Sequence, residues 1–216
     1  MLEFTPADPF PLPQGASYAE AQAHARTVDE WLGMNTEPIE ARLAEAGSPT
    51  DQQLWIGLPT QSLLTPYTEI RELLERLSLK PDETVVDLGA GYGRMSFVIA
   101  RHFPGVRFVG YEYVRERVEE ANRALAKFGA SPIEVVDLKD PAFFPIEADY
   151  YFLYDYGTRD AIEKTLQDLR VIAQSRAITV IGRGRASRDA IERWHPWLSG
   201  VVAPEHFAHY SIYRTR

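Results

Sequence analysis

From Thr65 onward, apolar and polar residues alternate between two rhythms. Ile70, Leu73, Leu74 and Leu77 lie on one helical face, introduced by Thr65 as a candidate cap and Pro66 as a first helical residue. Pro81-Asp82 ends that segment, and the β-branched run Thr84-Val85-Val86 predicts a buried strand. A helix over Arg94 to Phe103 stops at Pro104-Gly105, and Val106 to Tyr111 reads as a second strand. Val114, Val118, Ala121, Leu125 and Phe128 recur at helical spacing, and Ile133 to Val136 follows as a third strand. Tyr150 to Tyr154 is a fourth strand. Ile162, Leu166, Leu169 and Ile172 then mark a helix with Thr158 as its cap. Ala177 to Ile181 is a fifth strand, and Ser187 to Trp194 a short helix. Val201-Val202 and Phe207 to Tyr213 read as two closing strands, too close together to enclose a helix and so antiparallel. Strands alternating with helices imply right-handed crossovers, giving an α/β fold with a mostly parallel seven-stranded sheet covered on both faces.

The first sixty residues follow another pattern. Residues 1–14 are rich in proline and aromatics and predict an irregular arm that docks through Phe4, Phe10 and Leu12. Residues 15–47 are helical in composition, with Val28, Trp31 and Leu32 on one face and Gly33 and Pro38 as punctuation. Gly47, Pro49, Gly57 and Pro59 mark a linker. The expected organisation is an N-terminal arm and helical extension over 1–60, then one domain over 61–216.

Composition narrows the chemistry. The 216 residues carry 23 Lys plus Arg against 31 Asp plus Glu, a net charge of −8, which argues against a broad phosphate-binding surface and hence against nucleic acid as a partner. The absence of cysteine removes disulfides, thiolate metal sites and the covalent cysteine route to cytosine C5 methylation. No signal-peptide pattern or transmembrane run occurs, so a soluble cytoplasmic protein is expected. His206 and His209 fall on opposite faces of the predicted strand, the other histidines are isolated, and no metal is expected.

The chemistry concentrates after the first strand, at Asp87-Leu88-Gly89-Ala90-Gly91-Tyr92-Gly93-Arg94. Glycines between a strand and a helix let the backbone approach a ligand, and the helix N-terminus favours negative charge. The third glycine of a dinucleotide fingerprint would stand at 94, where this chain has arginine, and no P-loop lysine occurs. Asp87, Glu112, Asp137 and Asp155 close four consecutive predicted strands. That acidic rim would repel phosphates and favour a ligand carrying cationic, amine and diol groups. Each carboxylate is also open to the plainer role of capping the next helix.

This D-x-G-x-G-x-G run resembles motif I of the class I S-adenosylmethionine-dependent methyltransferases, which have a Rossmann-like fold. Gly110-Tyr111-Glu112, Val135-Val136-Asp137-Leu138 and Tyr154-Asp155-Tyr156 match the family's acidic strand ends, and the likeness covers about residues 60–216. It implies S-adenosyl-L-methionine as cofactor and methyl transfer to an acceptor. By resemblance, Gly89, Gly91 and Gly93 cradle the methionine part, Asp87 holds the loop or the ammonium, and Glu112 grips the ribose. Tyr113 lies against the adenine, and Asp137 with Leu138 reads its edge. Leu64-Thr65-Pro66-Tyr67 resembles a segment of some protein-lysine methyltransferases, which implies a cofactor contact for Tyr67; a helix start with Tyr67 packed is the alternative. Asp155 and Tyr156 are candidate catalytic residues, against a cap and packing. Tyr154, Arg183 and Arg185 are candidate acceptor contacts, with a solvated face as the alternative for the arginines. A protein lysine or small molecule is the favoured acceptor. A non-catalytic cofactor-binding or interaction domain stands as the alternative function, and aminopropyl transfer as a third.

Overall fold

The computed structural model describes residues 2–47 and 55–216. Part of the expected linker, 48–54, lies outside the described residues. Two helices lead, α1 (Tyr18–Trp31) and α2 (Thr36–Ala46), followed by the single turn α3 (Thr60–Leu63) and α4 (Tyr67–Leu77). The alternating region is β1 (Thr84–Leu88), α5 (Arg94–His102), β2 (Arg107–Glu112), α6 (Arg115–Phe128), β3 (Ile133–Val135), β4 (Tyr150–Tyr154), α7 (Arg159–Ser175), β5 (Thr179–Arg183) and α8 (Arg185–Trp194). The closing pair is β6 (Glu205–His206) and β7 (Tyr210–Arg214).

The seven strands run in the order β3-β2-β1-β4-β5-β7-β6, parallel from β3 to β5, with β7 antiparallel to both β5 and β6. Order reverses between β1 and β4, the position at which open α/β sheets bind ligands beyond the strands' carboxyl ends. Two apolar layers cover the sheet. One gathers Val85, Phe97, Leu125 and Ile181 with Phe10, Val28 and Ile39 from the first sixty residues. The other gathers Val86, Leu153, Leu166, Val180 and Ile191. The N-terminal extension therefore shares a core with the sheet. Phe10 is fully buried against the stacked Tyr67 ring, while Leu12 of the same arm remains exposed.

Local chemistry explains most element ends. Ser17 and Glu20 form a reciprocal capping box on α1, and Thr158 caps α7 as expected. Several boundaries differ from the sequence pattern, among them β7, which begins at Tyr210 rather than Phe207. Pro66 itself takes the cap position of α4 and Thr65 forms no capping hydrogen bond. The turn α3, which the sequence pattern does not predict, begins at Thr60, where the expected linker ends. Val201-Val202 is not a strand; Glu205–His206 pairs with β7 instead, opposite Ile212 and Ser211. No described helix is long and apolar enough to cross a membrane.

Candidate functional site

The glycine turn is built on backbone geometry that other residues resist. Gly89, Gly91 and Gly93 have φ of 94°, 54° and 68°, all in the left-handed region that favours glycine. A Cβ on Gly89 would stand 2.3 Å from Cβ of Tyr156, so its absence lets the turn meet the segment after β4. The N–H groups of Gly89 and Ala90 both donate to the Tyr111 carbonyl, at 2.9 and 2.8 Å. Gly91 N–H donates to Glu112 Oε2 and Val114 N–H to Glu112 Oε1, each at 2.9 Å. One carboxylate at the end of β2 thus ties the turn to the start of α6.

A cleft with about 1010 Å³ of empty space, counted to its open mouth, lies over these strand ends. Asp87, Gly89, Gly91, Glu112, Tyr113, Asp137 and Leu138 line it. Gly93 and Tyr67 do not. Gly93 sits at the cap of α5, where an added Cβ would stand 3.0 Å from Leu125 of α6. Tyr67 is fully buried, and its hydroxyl donates to Asp29 Oδ1 at 2.8 Å. Burial, with Asp29 beside it, raises that hydroxyl's pKa well above the usual value.

Asp87 is the unusual group here. It is buried, none of the described residues donates a hydrogen bond to its carboxylate, and burial with the nearby Glu112 charge raises its pKa to about 8. A buried carboxylate facing a cleft without a donor suits a cationic or amine-bearing ligand. Asp137 is partly occupied, accepting from Lys139 N–H at 2.9 Å.

Across the cleft the wall is aromatic. Tyr154 and Tyr156 line it, together with Trp55, Leu63, Leu64 and Phe152. The Tyr156 hydroxyl donates to the Ala161 carbonyl at 3.1 Å and accepts from the Thr165 hydroxyl at 2.5 Å, and burial raises its pKa. Asp155 is not brought to the cleft lining. Its two carboxylate oxygens accept from Ser187 N–H at 2.7 Å and Ala186 N–H at 3.1 Å, capping α8, and its φ is 30°. Arg183 is also directed elsewhere: it is buried, pairs with Glu69 at 2.6 Å and packs over the Tyr154 ring. Arg185 is almost wholly exposed and faces Asp189 at 3.7 Å.

No family model matches the chain. It is 36% identical over 67 residues to a protein-lysine N-methyltransferase of Saccharolobus islandicus (strain REY15A), a stretch covering 31% of this chain and 42% of that relative. Among solved structures, TrmN from Thermus thermophilus aligns over 70% of this chain and 48% of its own, at 18% identity and a TM-score of 0.52. The likeness shows a shared fold, a Rossmann-like, mostly parallel seven-stranded sheet with an antiparallel edge pair. An RNA methyltransferase from Salinibacter ruber in complex with S-adenosyl-L-homocysteine aligns over 70% of this chain and 91% of its own, at 23% identity and a TM-score of 0.49. The charge-based exclusion of nucleic acid finds no support among these neighbours.

On this fold the N-terminal helices add what sequence reasoning missed. Arg94 of the glycine motif is buried, forms an ion pair with Asp29 of α1, and donates to Gln61 Oε1 at 2.9 Å and the Thr65 carbonyl at 3.1 Å. Tyr92 of the same motif donates to Glu40 of α2 at 2.8 Å, and Arg117 of α6 grips Glu40 with two nitrogens at 2.8 and 3.0 Å. The available signal was Asp29 beside Val28 on the apolar stripe of α1, a charge where only a buried partner makes sense. Trp55, whose indole N–H donates to the Asp155 carbonyl, gave no signal within a linker composition.

Proposed function

We propose that this protein transfers a methyl group from S-adenosylmethionine to a primary amine on a flexible aliphatic stem, a protein lysine before a small molecule. The observation that carries the reading is the cleft itself: left-handed glycines and the carboxylates Asp87, Glu112 and Asp137 converge at the ends of β1 to β3. The donor set suits the cofactor. Asp87 would receive the cationic methionine end, Glu112 the ribose diol, and Asp137 with Leu138 the adenine edge beside Tyr113. Bound there, the cofactor would supply an activated methyl group; the chain supplies orientation and exclusion of water.

The aromatic wall supports an amine acceptor. Trp55, Tyr154 and Tyr156 offer apolar faces that suit an alkyl stem and attract an ammonium head. The short likeness to a protein-lysine N-methyltransferase points the same way. Asp155, with both oxygens on α8, serves as a positioning residue that fixes this wall, since its backbone carbonyl receives Trp55 and its carboxylate holds α8. Burial of the amine in that wall favours its neutral, nucleophilic form, and the proton leaves to solvent before transfer.

Titration calorimetry with S-adenosylmethionine and S-adenosylhomocysteine, then incubation with labelled methyl donor and fractionated lysate, tests this. Binding followed by label on lysine in the protein fraction is expected. No binding of either compound overturns the cofactor assignment. Label in RNA overturns the acceptor assignment, and binding with no labelled product favours a non-catalytic domain.

The Asp87 environment adds a pH dependence. The unfolded chain releases this proton near pH 4, whereas the folded chain keeps it to about pH 8. The free protein therefore loses stability from this group as pH rises between those values. A cation placed beside Asp87 lowers its pKa, so binding at pH 7 releases a proton and affinity rises with pH up to about 8, by at most about ten-fold per pH unit. Calorimetry in buffers of different ionisation enthalpy should show the release, and Asp87→Asn should abolish it. Equal heats in all buffers would contradict the placement.

A further inference from the structure

We propose that Glu40, on α2, is a positioning residue that keeps Arg117 from occupying Glu112. The inference rests on the cofactor reading above, in which Glu112 receives the ribose hydroxyls. One guanidinium stands between two buried carboxylates. Arg117 Nε and one terminal nitrogen reach Glu40 at 2.8 and 3.0 Å, while its other terminal nitrogen stays 3.8 Å from Glu112 Oε1. The fork is thus committed bidentately to Glu40, and the geometry toward Glu112 is too long for a hydrogen bond.

Glu40 is itself fixed from the glycine turn, because the Tyr92 hydroxyl donates to its Oε1 at 2.8 Å. Among the described residues, Glu112 accepts hydrogen bonds only from the backbone N–H groups of Gly91 and Val114. Each of its oxygens then keeps a lone pair for a ligand hydroxyl. Without the Glu40 charge, Glu112 Oε1, 3.8 Å away, is a buried carboxylate to which the Arg117 guanidinium can shift. A direct pair there would consume the acceptors that a ribose needs, at a cleft both side chains line. Helix α2 would then act on specificity for the sugar from outside the methyltransferase core, through charge placement alone.

The test compares wild type, Glu40→Gln and the double variant Glu40→Gln/Arg117→Gln by calorimetry. The probes are S-adenosylhomocysteine and its analogue lacking the ribose 2′-hydroxyl. In Glu40→Gln the parent compound should bind roughly ten-fold more weakly, the scale of losing hydrogen bonds to a charged group. Its preference over the deoxy analogue should fall toward one. Removing the arginine as well should restore most of both quantities. An unchanged preference in Glu40→Gln overturns the proposal, as does a folded double variant that stays weak. If Glu40→Gln alone fails to fold, the double variant, which buries a neutral amide pair, still decides: retained preference supports the proposal and lost preference overturns it. Failure of wild type to bind S-adenosylhomocysteine would instead overturn the cofactor reading, and this inference with it.

Discussion

Asp29→Ala should destabilise the fold by about 3–5 kcal/mol, the cost of leaving a buried charge without its partner. Asp29 is 2% exposed and accepts hydrogen bonds from Arg94, from the Tyr67 hydroxyl at 2.8 Å and from Gln61 at 3.2 Å. Removing it leaves the Arg94 guanidinium with two neutral acceptors, Gln61 Oε1 and the Thr65 carbonyl. It also strands a buried tyrosine hydroxyl. A loss of that size is a large share of the roughly 5–15 kcal/mol available to a domain, and should lower the melting temperature by on the order of 10 °C. Thermal or urea denaturation measures it. The double variant Asp29→Ala/Arg94→Met should recover part of the loss, because an apolar replacement for both partners leaves no unpaired charge. A single-variant loss below about 1 kcal/mol would mean that solvent reaches Arg94, against its burial.

The location of that pair explains why the site was only partly legible in the sequence. The sheet was readable because its strands and helices carry periodic apolar residues, and β4 coincides with the predicted Tyr150 to Tyr154. The glycine turn was readable because left-handed φ at Gly89, Gly91 and Gly93 demands a residue type that stands out. Asp87, Glu112 and Asp137 followed from their positions at strand ends, which the sheet alone fixes. Tyr67, Asp155 and Arg183 were different. Each has a polar group whose direction depends on a partner far away in the chain: Asp29 for Tyr67, the start of α8 for Asp155, Glu69 for Arg183. Periodicity places a residue on a face but does not choose its partner. The same reason hid Glu40 and Trp55, which act on the cleft from a region whose composition says only helix and linker.

Gly91→Arg should abolish cofactor binding, by at least about a hundred-fold in affinity, while leaving the protein folded. The backbone at Gly91 has φ 54°, so any side chain there costs about 1–2 kcal/mol of left-handed strain. Sterically the position is open: a Cβ would meet only Leu64 Cδ2 at 3.3 Å, the far end of a flexible side chain. Gly91 lines the cleft together with Asp87 and Glu112, so the arginine extends into it. There it opposes the ligand twice. It fills the space expected for the methionine part, and its guanidinium offers Asp87 and Glu112 the cation they otherwise lack. The second effect has its own signature. With a positive charge beside it, Asp87 should no longer keep its proton to about pH 8, so the stability loss between pH 4 and 8 that it imposes on the wild type should shrink. Calorimetry reads the first effect, and melting temperature as a function of pH reads the second. Retained affinity would remove the cofactor from this cleft, whereas lost affinity with an unchanged pH profile would mean that the arginine blocks the site without reaching Asp87.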